Sequence, residues 1–134
     1  DVAAAKSAGA SFGVSPGVTD KLLQAVELEQ LPLLPGAATA SEVMQLLERG
    51  YDIQKFYPAQ AAGGVNMLKS LAGPLPQVSF CPTGGVSPQN VAEYLALPNV
   101  ICAGGSWMTP ASLVSAADWD GIEALAREAL SLGV

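Results

Sequence analysis

Apolar residues recur along this chain in two alternating ways, as short, nearly unbroken runs and as stretches where they return every third or fourth position. The unbroken runs predict strands over Ala10 to Ser15, Leu31 to Leu34, Ile53 to Tyr57, Val78 to Cys81 and Val100 to Ala103. The spaced stretches predict helices. Asp1 to Ala8 reads as a helix tail stopped by Gly9, and Thr19-Asp20 starts a helix with Leu22, Leu23 and Val26 at helical spacing. Thr39-Ala40-Ser41-Glu42 has the form of a capping box, followed by Val43, Leu46 and Leu47 on a buried face and by Gly50 as a stop. Gly63-Gly64 opens another helix, with Val65, Leu68 and Leu71 on one side and Gly73-Pro74 closing it. Ser87-Pro88 suits an N-cap with proline at the first helical position, ahead of Val91, Tyr94 and Leu95. The last helix starts near Asp118 to Asp120 and turns Ile122, Leu125, Ala126, Ala129 and Leu130 inward.

These elements form a repeat. The strand ends at Pro16, Pro35, Pro58, Pro82 and Gly104 are 19, 23, 24 and 22 residues apart, and a helix follows each. Short apolar strands alternating with helices imply an α/β fold with a parallel sheet covered by helices. Such a sheet can stay open and doubly wound or close into a (β/α)₈ TIM barrel. Gly- and Pro-rich turns at the C-terminal end of every strand favour the barrel, which builds its active site there. A dinucleotide-binding sheet would instead carry G-x-G-x-x-G after its first strand, and that motif is absent. Only five β/α units are present, whereas a barrel of this kind takes about 200 to 250 residues.

Composition narrows the chemistry. Twelve Asp and Glu against six Lys and Arg leave a net charge of −6, which argues against nucleic acid or an anionic membrane as partner. No apolar run approaches the roughly 20 residues of a membrane span, and no secretory leader pattern is present. Cys81 and Cys102 each fall in an apolar run and are expected as buried free thiols of a reduced, cytoplasmic protein. Histidine is absent, which excludes a Ser-His-Asp or Cys-His pair within this chain and disfavours a zinc site. No metal or cofactor is expected.

Among the six cations, Lys55 alone lies inside a strand-like run, Ile53-Gln54-Lys55-Phe56-Tyr57-Pro58-Ala59. Burying an ammonium is costly, and the usual relief is loss of the proton, which leaves a nucleophilic amine. The alternative is a lysine near a strand end that snorkels to water. Strand alternation puts Ile53, Lys55 and Tyr57 on one face and Gln54 and Phe56 on the other. Thr83-Gly84-Gly85 and Gly104-Gly105-Ser106 close the next two strands, and two adjacent glycine turns can aim backbone N–H groups at one anion. In barrels the loops after the last two strands are the frequent phosphate site. An interior lysine near such a rim suggests a covalent imine with a phosphorylated keto compound.

Lys55-Phe56-Tyr57-Pro58-Ala59, Gly63-Gly64-Val65, Phe80-Cys81-Pro82-Thr83-Gly84-Gly85-Val86-Ser87-Pro88 and Gly104-Gly105-Ser106-Trp107 together resemble the 2-keto-3-deoxy-6-phosphogluconate (KDPG) aldolase family. Val14-Ser15-Pro16-Gly17 and Leu33-Leu34-Pro35-Gly36 also match its pattern, and the similarity covers essentially the whole chain. The resemblance implies a class I aldolase of the Entner–Doudoroff route, a (β/α)₈ barrel assembling as a homotrimer. Its substrates would be the phosphorylated keto-deoxy sugar acid, cleaved to pyruvate and glyceraldehyde 3-phosphate, and often 4-hydroxy-2-oxoglutarate. Lys55 matches the lysine that forms the Schiff base. Thr83, Gly84 and Gly85 match the loop that holds the carboxylate and phosphate end, Gly105 and Ser106 match the second phosphate loop, and Pro16 lies in a pocket-lining turn. Two positions depart from the pattern: Tyr57 stands where the family more often has Phe, and Gln60 where it often has Glu.

The family also places three β/α units ahead of this stretch, carrying a proton-shuttling glutamate, an arginine that meets the substrate carboxylate and a threonine near the phosphate. Glu42, Asp52 and Glu93 do not stand in for that glutamate, since they fall on helices or at the opposite strand end. Residues 1–134 are therefore expected to be the last five units of a barrel with two apolar sheet edges left open. Two other readings remain: a phosphosugar isomerase or epimerase in which Lys55 only neutralises a carboxylate, and a half-barrel that binds a phosphorylated ligand without turnover.

Overall fold

The computed structural model describes residues 1–132, so the last two positions of the expected 1–134 domain lie outside it. Helix α1 (Val2–Ser7) ends before Gly9, as anticipated. Strand β1 is only Gly13–Val14, the inner part of the run that begins at Ala10. Helix α2 (Asp20–Glu29) starts where Thr19 accepts the Leu22 N–H on its hydroxyl, satisfying one of the N–H groups a helix start leaves orphaned. The next strand is split into β2 (Leu33–Leu34) and β3 (Gly36–Ala37). Pro35 divides them because it has no N–H to give. The first half pairs with β1, and the Pro35 carbonyl then accepts the Lys55 N–H from the other side.

Helix α3 (Ala40–Glu48) carries the complete capping box between Thr39 and Glu42. Strand β4 (Ile53–Phe56), helix α4 (Gly64–Ala72) and strand β5 (Ser79–Pro82) follow. Strand β4 pairs in parallel with β3 and β5, placing Lys55 opposite both Gly36 and Cys81. The fifth expected strand is present only as two parallel bridges, Phe80 to Val100 and Thr83 to Gly104. The Ile101 N–H bonds to the Phe80 carbonyl and the Gly104 N–H to the Pro82 carbonyl, so this segment carries one residue more than its neighbour, a bulge that interrupts regular pairing.

Two helix expectations are corrected. Ser87-Pro88 does not start a helix: α5 is only Val91–Leu95, with Asn90 at its N-cap position. The Asn90 carboxamide accepts the Ser87 N–H and donates to the Gly85 carbonyl, which holds residues 85–90 as a turn. A short helix α6 (Ala111–Ser115) precedes α7 (Trp119–Leu130), whose N-cap Asp118 accepts the Gly121 N–H. Helix α7 has no buried residue among those described. Ala126 and Leu130, expected inward, are exposed.

The core lies between one sheet face and the helices. Phe56 and Phe80 point into it from β4 and β5, with ring centroids 6.2 Å apart and planes at 73°, an edge-to-face pair that contributes about 0.5–1.5 kcal/mol beyond its buried area. Val43 and Leu46 from α3, Leu68 and Leu71 from α4 and Tyr94 from α5 close over them. Gln54 shares this face and is fully buried, its amide donating to the Val43 and Tyr51 carbonyls at 3.1 and 2.9 Å. The other sheet face is open: Ile53 is 45% exposed and Ile101 54%. This is an α/β arrangement with parallel strands, and the C-terminal ends of those strands share one side.

Candidate active site

Lys55 reaches the open face through strand alternation, since Gln54 and Phe56 on either side of it are committed to the core. It is half-buried rather than enclosed. Its ammonium lies over the Tyr57 ring, 4.7 Å from the centroid. Both residues open onto a cavity of about 450 Å³ whose remaining wall is Thr83, Gly84, Gly85, Val86, Gly104, Gly105 and Ser106. Lys55 and the two glycine turns, read separately from the sequence, thus share one space. Among the described residues no carboxylate lines it.

The glycine turns have their shape for steric reasons. Gly84 and Gly85 take φ of +89° and +78°, a region that side-chain-bearing residues rarely enter. A Cβ on Gly85 would meet the Gln60 Cβ at 2.5 Å, and one on Gly105 would meet the Trp107 ring at 1.7 Å. Across the cavity floor the Thr83 methyl packs on Gly104, where a Cβ would lie 2.8 Å from it. The Thr83 hydroxyl is itself buried with no hydrogen-bond partner. An orphaned hydroxyl costs about 1–3 kcal/mol unless something else satisfies it. The backbone N–H groups of Gly85, Gly105 and Ser106 likewise find no acceptor among the described residues. The unpaired peptide donors and the ammonium thus border a space suited to an anion. The expected helix N-terminus does not add to it, because α5 begins only at Val91.

Pro16 does not line this cavity. Its exposed turn crosses over Gly36, where a Cβ would strike the Pro16 backbone at 2.3 Å, and Gly36 in turn pairs with Lys55. Cys81, opposite Lys55 on β5, is buried as expected, but Cys102 is exposed. Burial, then the hydrogen bond and proximity of the Cys102 thiol, push the Cys81 thiol up to about 12, against the opposing pull of the Lys55 ammonium. The sequence marks Tyr57 and Gln60 as departures from the family pattern and Trp107 as part of a motif, but gives none of them a place in the site. The i, i+2 spacing that puts Tyr57 on the face of Lys55 was legible, but its ring contact was not. A second opening of about 530 Å³ lies on the helical side near Val18, Leu23 and Leu46, where Arg49 is paired with Asp20 and Glu27 at 2.9 and 3.2 Å.

No helix of the described residues is long and apolar enough to cross a membrane, and none of their His, Cys, Asp and Glu side chains cluster as a metal site would need. Residues 1–125 match the family model for KDPG and KHG aldolase. The 2-dehydro-3-deoxy-phosphogluconate aldolase of Pseudomonas aeruginosa is 53% identical over 96% of this chain and 58% of its own length. The KHG/KDPG aldolase of Escherichia coli is 52% identical over 92% of this chain and, again, 58% of its own. The KDPG aldolase of Legionella pneumophila, solved with pyruvate captured as a covalent carbinolamine intermediate, superposes with a TM-score of 0.86 at 50% identity, over 90% of this chain and 58% of that one. The Zymomonas mobilis enzyme, solved with 3-phosphoglycerate, gives a TM-score of 0.77 at 47% identity over 80% of this chain and 51% of its own. The chain therefore spans under three fifths of the length of these relatives.

Proposed function

Because this chain belongs to the KDPG and KHG aldolase family, we propose that it is part of a class I aldolase that cleaves 2-keto-3-deoxy-6-phosphogluconate to pyruvate and glyceraldehyde 3-phosphate, with 4-hydroxy-2-oxoglutarate as a second substrate. The observation that carries this reading is the single cavity shared by the Lys55 amine and the donors of Thr83, Gly84, Gly85, Gly105 and Ser106. In this reading Lys55 is the nucleophile, and the donors hold the anionic ends of the substrate. Pro16 acts one layer out, through Gly36. The chain forms the last five units of a (β/α)₈ barrel, assembled as a cytoplasmic homotrimer.

The chemistry follows from the amine. The ammonium first gives a proton to solvent; the freed lone pair forms a bond to the C2 keto carbon, and the keto oxygen leaves as water, taking one proton from the nitrogen and one from solvent. The resulting iminium draws the C3–C4 bonding pair toward nitrogen as the C4 hydroxyl gives up its proton and becomes the aldehyde carbonyl. The remaining enamine takes a proton at C3, and water then releases pyruvate and regenerates the amine. The C4 hydroxyl proton needs an acceptor, and here that is the glutamate which the resemblance places in the three preceding units. Without such a group the rate falls by about 10²- to 10⁴-fold.

Pyruvate with borohydride tests the reading directly. The expected result is a reduced pyruvyl adduct mapped by mass spectrometry to Lys55 and lost in Lys55→Ala. Phosphate binding with no adduct would favour the non-catalytic module instead.

A further inference from the structure

Tyr57 does more than line the cavity. Its ring face meets Lys55 Nζ, with the centroid 4.7 Å away. Its Cε2–Cδ2 edge rests on Gly84, where a Cβ would come within 3.0 and 3.1 Å. The ring is thus wedged between the amine and the glycine rim, and a glycine at position 84 is what admits it. An aromatic face attracts a cation through its quadrupole and has much less hold on a neutral group. In the aldolase reading, on which this inference rests, the nitrogen that attacks the keto carbon is the atom that carries positive charge in the iminium.

We propose that Tyr57 is a positioning residue for Lys55, its ring face holding the nitrogen at the cavity and favouring the cationic imine once formed. The ring supplies this effect, and the phenol hydroxyl is not required. The open side of the pair matters too. Lys55 is half-buried and Tyr57 is 37% exposed, so water competes for the ammonium until a ligand fills the cavity and strengthens the contact.

Two readouts separate this inference from the reading beneath it. The first is independent of aldolase chemistry. Lysines are reductively methylated with ¹³C-formaldehyde, and the dimethyl-Lys55 signal is assigned by its loss in Lys55→Arg. Ring current from Tyr57 shifts that signal upfield in the parent and in Tyr57→Phe, and the shift disappears in Tyr57→Leu. The second readout is the rate of pyruvate trapping by borohydride on unmethylated protein. Tyr57→Leu slows it about 3- to 30-fold, the range an aromatic–cation contact spans from exposed to desolvated sites, and Tyr57→Phe restores it to within about twofold. An unshifted signal in the parent, or a trapping rate unchanged in Tyr57→Leu, overturns the inference. Equal losses in the Phe and Leu variants overturn it as well, because the hydroxyl would then be responsible. A shifted signal with no pyruvate adduct on the parent rejects the aldolase reading and the imine role, and leaves only the ring–amine contact.

Discussion

Gln60 donates its backbone N–H to the Gly84 carbonyl over 3.0 Å. One residue earlier, Ala59 donates to the Thr83 carbonyl over 2.8 Å, and the Gln60 side chain, held by the Tyr94 hydroxyl at 3.0 Å, occupies the space beside Gly85. The turn that follows Lys55 and the Thr83–Gly85 turn are therefore one hydrogen-bonded unit. A change on either side of this seam is felt by both Lys55 and the glycine rim.

Gly85→Ala tests the seam. The new methyl meets the Gln60 Cβ at 2.5 Å, and alanine must adopt a φ near +78°. The expected loss is about 1–3 kcal/mol in urea denaturation. Adding Gln60→Gly removes the collision but not the backbone strain, so it recovers part of the loss. An unchanged midpoint in the single variant would contradict the packing described.

Gly105→Ala acts differently. A Cβ there would lie 1.7 Å from the Trp107 ring, so the indole has to leave the rim. In a Trp119→Phe background, where Trp107 is the remaining tryptophan, the emission maximum moves to longer wavelength as the ring gains water. Phosphate affinity falls with it. Emission that stays put would place the indole elsewhere.

The capping box of α3 predicts a limb of acid sensitivity. The Ala38 N–H bond holds the Glu42 carboxyl below the ordinary glutamate range against partial desolvation, and the Thr39 hydroxyl and N–H add to the effect. A depressed carboxyl stabilises the fold above its unfolded pKa and loses that contribution as pH falls through the folded value. Glu42→Gln should flatten this limb in denaturation series run at falling pH. Thr39→Ala should cost about 0.5–2 kcal/mol at neutral pH.

Cys81 predicts the opposite limb. With its thiol pushed up to about 12, the folded chain retains a proton that the unfolded chain gives up near the usual thiol value of about 8.5. The stability this provides is complete below that value and is lost as pH rises toward 12. Cys81→Ala should remove this part of the alkaline decline. Alkylation by iodoacetamide near neutral pH should label the exposed Cys102 first. Faster labelling of Cys81 would contradict its burial.

How much of this was legible beforehand depended on distance along the chain. The caps at Thr19, Thr39 and Asp118 were readable because a cap joins a side chain to a backbone N–H two or three residues away. The face of Lys55 was readable from a period of two, and the glycine turns from the conformations only glycine adopts freely. Ser87-Pro88 misled because a competing local acceptor, Asn90, takes the Ser87 N–H and delays the helix. Leu130 misled because periodicity marks an apolar face without saying whether anything covers it; the residue is 80% exposed.

By itself, the order of residues determined the succession of strands and helices, the parallel α/β class, the amine and both glycine turns, since each depends on neighbours a few positions apart. Tertiary structure alone decided that the amine meets an aromatic face, that Thr83 keeps a buried, unpaired hydroxyl, and that Gln60 ties the two turns together. The tie between the turns depends on register between strands more than twenty residues apart, where a slip of one position would turn every side chain to the other face.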